Sequence, residues 1–153
     1  MPEPAVQPDY IHATALLAGD RGILITGPSG SGKTTLALAL ISHLGQRGLF
    51  SRLIGDDQLI VDGRAGRLVC RAPLAIAGLA EVAGIGPRPL PYESAAVIDL
   101  HVRLVEEGEM DRFQEDACDL IAGCPVSRID LVRRGVSAAL QAVTARLSIV
   151  PFL

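Results

Sequence analysis

Short apolar runs separated by glycine and aspartate divide the chain into alternating strands and helices. Thr14 to Ala18 and Ile23 to Thr26 are two such runs around the turn signal Gly19-Asp20-Arg21-Gly22, which predicts a hairpin or two adjacent strands. Gly27 to Gly32 is a glycine-rich loop. Thr34 to Leu44 holds strong helix formers with no internal Gly or Pro, so the pattern predicts a helix that Gly45 or Gly48 ends. Leu53-Ile54 is a brief strand stopping at Gly55-Asp56-Asp57. Gln58 to Val61 and Leu68 to Arg71 flank a turn-rich stretch, Asp62 to Arg67, and read as a hairpin. Pro73 to Val82 is expected to start as helix and to run into Gly84-Ile85-Gly86-Pro87. Ala95 to Val105 alternates polar and apolar positions, the pattern of a half-buried strand. Glu106 to Asp119 is acidic and reads as a surface loop or short helix, and Val136 to Leu147 as a closing amphipathic helix. The alternation implies an α/β fold with a mixed sheet. Residues 1–10, with three prolines, read as a flexible lead-in, and 11–150 as one domain without repeat or linker.

Composition narrows the function classes. The 153 residues are 49% hydrophobic, which excludes intrinsic disorder, and 3% aromatic, which argues against modules that stack bases on rings. A net charge of −3 offers no basic footprint for nucleic acid or an anionic membrane. No apolar run approaches the ~20 residues that span a bilayer, and the first ten residues have no signal-peptide pattern, so the expected location is the cytoplasm. Cys70, Cys118 and Cys124 form no C-x-x-C pair and read as buried reduced thiols.

One compositional fact points at chemistry. Of the 14 basic residues, only Lys33 is lysine. A compact ammonium fits inside a tight backbone loop where the wide guanidinium fork does not. Lys33 closes Gly27-Pro28-Ser29-Gly30-Ser31-Gly32-Lys33-Thr34, which matches G-x-x-x-x-G-K-[ST], the phosphate-binding loop. Around a single lysine, this composition produces that spacing roughly once in a thousand chains. Glycines let consecutive N–H groups turn inward as an anion nest, and the following helix aims its positive end at the same point. Lys33 would reach the β- and γ-phosphates of a nucleoside triphosphate, and the Thr34 hydroxyl would ligate Mg²⁺. Asp56-Asp57, at the carboxyl end of the next strand, reads as a magnesium holder, a proton acceptor or a solvated acidic turn. His12 by itself reads as an ordinary histidine, and Glu81 as an exposed charge in an apolar stretch.

Taken in order, these pieces resemble the catalytic domain of HPr kinase/phosphorylase over about residues 11–130, in particular its short form without an N-terminal domain. His12 stands ten residues before Gly22-Ile23-Leu24-Ile25-Thr26-Gly27, as the family's histidine stands before its G-[VI]-L-I-T-G. Arg52-Leu53-Ile54-Gly55-Asp56-Asp57 is similar to R-L-[IV]-x-D-D, and Leu68 to Pro73 to the segment ending in A-P. Gly78-Leu79-Ala80-Glu81-Val82-Ala83-Gly84-Ile85-Gly86 resembles the signature G-L-x-E-[IV]-R-G-[LI]-G. The resemblance implies a phosphate-loop kinase core with a mixed sheet that phosphorylates a serine of the phosphocarrier HPr with ATP and Mg²⁺. It gives His12 and Lys33 active-site roles, Asp57 the proton transfer, Glu81 a place beside Thr34 near Mg²⁺, and Arg112 of Asp111-Arg112 the catalytic arginine. It also implies a homohexamer. Ala83 departs from the signature arginine, the helix after the loop is about six residues longer, and Pro125-Val126-Ser127-Arg128 keeps only part of the P-V-R-P-G-R loop tied to dephosphorylation. A strong kinase and a weak reverse reaction are therefore expected. The alternatives are a kinase of a small hydroxylated molecule and a nucleotide-binding sensor whose catalysis has decayed.

Overall fold

The computed structural model describes residues 8–152. In chain order these form β1 (Asp9–His12), β2 (Thr14–Ala18), β3 (Arg21–Thr26), α1 (Lys33–Gly45), β4 (Ser51–Gly55), β5 (Gln58–Arg64) and β6 (Arg67–Arg71). There follow β7 (Leu79–Val82), β8 (Gly86–Pro89), β9 (Ala96–Val105), β10 (Ala117–Ile121), β11 (Cys124–Val132) and α2 (Val136–Arg146). β7 and β8 pair only with each other, and the other nine strands form one curled mixed sheet. The mixed α/β expectation is met.

The curl comes from β9. Along one edge its first residues pair antiparallel with β6, and its later residues pair parallel with β11. β3 runs parallel along the other edge, followed by β2 and β4. One leaf, β1-β5-β6, therefore folds over the leaf β4-β2-β3-β9-β11-β10. The space between the leaves holds Leu24, Leu59, Val61, Leu68, Cys70, Ile98 and Val126. The opposite face of the larger leaf packs Ile23, Ile25, Leu100, Val102 and Leu104 against Leu36, Leu40 and Leu44 of α1 and Val143 of α2. The i, i+4, i+8 spacing of the α1 leucines supplies that stripe.

Burial on two faces revises the half-buried reading of β9. Gly22 pairs with Ile98 but Ile23 pairs with Leu100, so Asp99 is the extra residue of a bulge. Ile98 therefore packs between the leaves although simple alternation puts it with Leu100. The Gly22 N–H donates to the Asp99 carboxylate at 2.9 Å, and a Cβ on Gly22 would lie 2.0 Å from the Val97 carbonyl oxygen.

Other expectations need correction. The lead-in falls largely on residues 1–7, outside the described residues, while Asp9 and Tyr10 already pair with β5. The helix expected from Pro73 is one 3-10 turn, Leu74–Ile76, because Gly78 breaks it with φ +76° before β7. The acidic stretch ends in β10, and Pro125 to Arg128 belongs to β11 rather than to a loop. Pro125 is tolerated because β11 meets β9 only from Ser127 onward. Cys70 and Cys124 are buried and Cys118 is exposed, all three free. Burial pushes the Cys70 thiol up to about 12, so it is inert at neutral pH. No helix among the described residues is long and apolar enough to cross a membrane.

Gly22→Ala forces its methyl group into the β9 backbone and should cost about 2 kcal/mol or more in denaturant unfolding. Gly45→Ala, at the end of α1 with no atom within 4 Å of the new methyl, should be neutral or stabilising by about 0.5 kcal/mol.

Candidate active site

A cavity of about 340 Å³ opens where β3 passes into α1. Gly32, in the left-handed region at φ +95°, caps α1, whose first turn has no acidic residue and no side-chain cap. Its free N–H groups make that end electropositive. Gly27 is held close as well, since a Cβ there would meet the Ser31 hydroxyl at 2.7 Å. Ser31 is fully buried, and its hydroxyl is the one buried side-chain polar atom without a hydrogen-bond partner among the described residues.

Lys33 folds back over this loop. Its Nζ donates to the carbonyls of Gly27 at 2.9 Å and Pro28 at 3.1 Å, which leaves one of its three N–H groups for a ligand. Burial holds the ammonium below the ordinary lysine range, against the pull of Asp56 and Asp57.

Opposite the lysine sits Asp56, only 5% exposed. Its Oδ1 accepts from the hydroxyls of Thr14 at 2.7 Å and Thr34 at 2.8 Å, and its Oδ2 from the Glu81 backbone N–H at 2.8 Å. One carboxylate thus ties β2, α1 and β7 to the end of β4. Asp57 turns the other way, with φ +71°, into solvent. Its carboxylate lies 3.2 Å from His12 Nδ1, and both side chains are more than half exposed.

The structure therefore brings His12, Ser29, Gly30, Gly32, Lys33, Thr34, Asp57 and Glu81 to one cavity, with Gly27 and Pro28 facing Lys33 from behind. It does not bring Arg112. That side chain lies in the loop between β9 and β10, its guanidinium 5.4 Å from the Phe113 ring centroid, and it does not line the cavity. Glu81 is exposed on β7 rather than at a helix end, and Ala83 lines the wall where the signature has arginine.

Two residues escaped the sequence reading. Thr14 reads as one more position of an apolar strand, yet its buried hydroxyl binds Asp56. Arg134 reads as surface charge, yet its Nε donates to the Gly30 carbonyl at 2.8 Å and its backbone N–H to that of Ser31 at 2.9 Å. No short-range signal marks either one, because both contacts cross long stretches of chain.

Hard oxygens dominate one side, the Thr34 hydroxyl with the Asp56 and Glu81 carboxylates, and a lysine and bare N–H groups the other. Among the described residues no group of three or more His, Cys, Asp or Glu is placed to hold a metal alone. That donor set fits Mg²⁺, which is usually held by one or two carboxylates together with a ligand's phosphates. Fold and cavity thus define a class: a mixed α/β protein with a glycine-rich loop and a helix N-terminus facing a buried carboxylate.

The particular family comes from comparison. No family model matches the chain. The HPr kinase/phosphorylase of Clostridium acetobutylicum is 33% identical over 149 residues, 88% of this chain and 47% of that protein. That of Clostridium tetani is 40% identical over 81 residues, 52% of this chain and 25% of its own length. The Hpr(Ser) kinase/phosphatase from Coxiella burnetii has the same fold, with a TM-score of 0.76 over 92% of this chain and 97% of that one at 24% identity. The chain resembles the HPr kinase/phosphorylases in sequence and in fold, and spans less than half the length of these curated relatives.

Thr14→Val keeps the shape of a fully buried side chain and removes one charge-assisted bond to Asp56. Denaturant titration should show a loss of about 1.5–3 kcal/mol, while the cavity keeps its other residues. A loss below a few tenths would mean that Thr34 and Glu81 hold Asp56 unaided.

Proposed function

We propose that this protein is an ATP-dependent protein-serine kinase acting on the phosphocarrier HPr, with a weaker phosphate-dependent reverse reaction. The observation that carries the reading is the cavity itself, which collects the lysine of the glycine-rich loop, a hydroxyl–carboxylate pair and an exposed carboxylate beside a histidine. In this reading Gly27 to Thr34 is the phosphate loop of a P-loop kinase core. Its N–H groups and Lys33 hold the triphosphate of ATP. Thr34, Asp56 and Glu81 would hold Mg²⁺, which supplies neutralisation of phosphate charge when bound.

Asp57 and His12 then meet the substrate. The serine oxygen attacks the γ-phosphorus, its proton passes to the Asp57 carboxylate, and the bond to the β-phosphate oxygen breaks to release ADP. His12, 3.2 Å from that carboxylate, orients it. By microscopic reversibility, when an oxygen of inorganic phosphate attacks the phosphoserine phosphorus, the serine O–P bond breaks, the protonated Asp57 returns its proton to the serine oxygen, and pyrophosphate is released. Similarity to proteins named HPr kinase/phosphorylase supports HPr as substrate, and a homohexamer in the cytoplasm is part of this proposal on the motif resemblance and the sequence pattern alone.

One observation favours a second reading, a nucleotide-binding sensor without turnover. Ala83 lines the cavity wall, so the signature position contributes no cation there. Incubation with ATP, Mg²⁺ and HPr followed by intact mass measurement separates the two. The kinase reading expects one added phosphate on HPr, and nucleotide binding without transfer overturns it.

Three variants sharpen the assignment. Lys33→Ala should abolish transfer with the fold intact, and Lys33→Arg should do nearly as badly, since a planar fork does not replace a point charge. Asp57→Asn should lower forward and reverse rates together by about 10²–10⁴. Arg112→Ala should cut turnover by about 10³ if an assembled neighbour or a moving loop brings that arginine to the phosphates. Unchanged turnover in Arg112→Ala removes it from the catalytic set.

A further inference from the structure

Behind the glycine-rich loop, a chain of polar contacts runs from the end of β3 across β9 to β10 and β11. Thr26, the last residue of β3, immediately precedes Gly27. Its hydroxyl lies 2.6 Å from Nε2 of His101, which is 6% exposed. The other ring nitrogen, Nδ1, lies 2.8 Å from the Asp119 carboxylate on β10. Arg128 of β11, directly opposite His101 in the parallel register, donates to the second oxygen of Asp119 and also meets Asp130 at 3.3 Å. Arg103 closes the group with two bonds to Asp130, at 2.9 and 2.7 Å.

The contacts fix the proton positions. Burial pulls Asp119 up, but its bonds to His101 and Arg128 outweigh this and hold it below the usual carboxylate range, so it is ionised at neutral pH and can only accept. Nδ1 must then carry the proton, and the bare Nε2 accepts from the Thr26 hydroxyl. A protonated ring would have no lone pair for Thr26, whose hydroxyl would have to turn and accept instead. It would also face the guanidiniums of Arg103 and Arg128, with Asp119 as its only opposite charge.

We propose that His101 is a positioning residue that, through Thr26, fixes the point from which the glycine-rich loop departs, and that Asp119 and Arg128 of the β10–β11 hairpin hold His101 in place. The chain of contacts thereby couples that hairpin to the loop, two segments that never touch in sequence. It makes the loop's order depend on an uncharged imidazole. Burial, with help from Arg103 and Arg128, keeps His101 below its ordinary range, against the pull of Asp119. The neutral ring therefore persists through neutral pH; as acid protonates the ring, the Thr26 contact must reverse its direction and the imidazolium meets the guanidiniums of Arg103 and Arg128, which loosens the contact. The sign for stability is the same: an unfolded chain takes up this proton at higher pH than the folded one, so stability falls with falling pH below about 6.5.

Only the binding arm of the test rests on the nucleotide reading. Amide hydrogen exchange at Ser31, whose N–H donates to the Pro28 carbonyl at 3.1 Å, reports loop order in the ligand-free protein. It is measured at about pH 7.5 and about pH 5, corrected for intrinsic rates, in the native protein, His101→Gln and His101→Leu. Glutamine can accept from Thr26 and donate to Asp119 without titrating in this range. The native protein should lose protection on acidification, His101→Gln should keep it at both pH values, and His101→Leu should lose about fivefold at both, the worth of one hydrogen bond. Mg·ATP affinity, measured by calorimetry, should follow the same order. Native protection in His101→Leu, or an undiminished acid response in His101→Gln, overturns the proposal. If His101→Leu does not fold, the comparison of the native protein with His101→Gln decides alone. If the exchange pattern holds but no form binds Mg·ATP, the phosphate-loop reading fails and the positioning role stands.

Discussion

The buried carboxylate of Asp56 is the contact on which the site depends. Taking an ionised carboxylate to 5% exposure costs several kcal/mol, and that cost is offset only if its lone pairs find donors. Here the donors come from three separate elements, Thr14 of β2, Thr34 at the start of α1 and the Glu81 N–H of β7. Because each is itself buried or part-buried, none can let go without stranding a charge. The same bonds that make Asp56 tolerable therefore fix the helix end, the β7–β8 hairpin and the carboxyl end of β4 around one cavity. Its neighbour has the opposite fate. The left-handed φ of Asp57 swings its carboxylate outward to His12, into solvent. One acidic dipeptide thus supplies a buried anchor and an exposed carboxylate by reversing direction between adjacent residues.

The large leaf of the sheet carries this arrangement because it is covered on both sides. Helices close one face and the folded-over β1-β5-β6 leaf closes the other, so β3 ends in a rigid layer just where the glycine-rich loop begins. The bulge at Asp99 makes the double cover possible by switching which face β9 presents midway along its length. Past the bulge, the face away from the helices carries His101 and Arg103 rather than apolar side chains. Those polar groups are satisfied by β10 and β11, whose Asp119, Arg128 and Asp130 meet them in register.

Where elements are local, the sequence reading and the structure agree closely. Thr14–Ala18 is a strand over the predicted residues, and α1 and α2 differ from their predicted helices by a residue or so at their ends. Turn residues, helix formers and apolar spacing act within a few positions, so a short window contains their cause. β10 and β11 were missed for the opposite reason. Their residues alternate weakly and include Pro125, and they are strands because β9 has a free edge for them beyond β6. The 3-10 turn after Pro73 fails similarly, since good helix formers there are cut short by Gly78 and by the pairing of β7 with β8.

The sequence by itself determined the glycine-rich turn into α1, because the loop, a single lysine and the following helix are contiguous and their geometry is set by backbone freedom and helix polarity. It also placed the acid pair at the end of a strand, and the order of its motifs pointed to the HPr kinase/phosphorylases. Only the tertiary structure decided which acid is buried and which is free, that Thr14 and Arg134 serve the site, and that Arg112 lies away from the cavity. It alone joined His101 to the loop, through contacts that span 75 and 18 residues of chain. Such contacts depend on how strands pair across the sheet, and pairing is chosen by the burial of whole faces rather than by any residue's immediate neighbours.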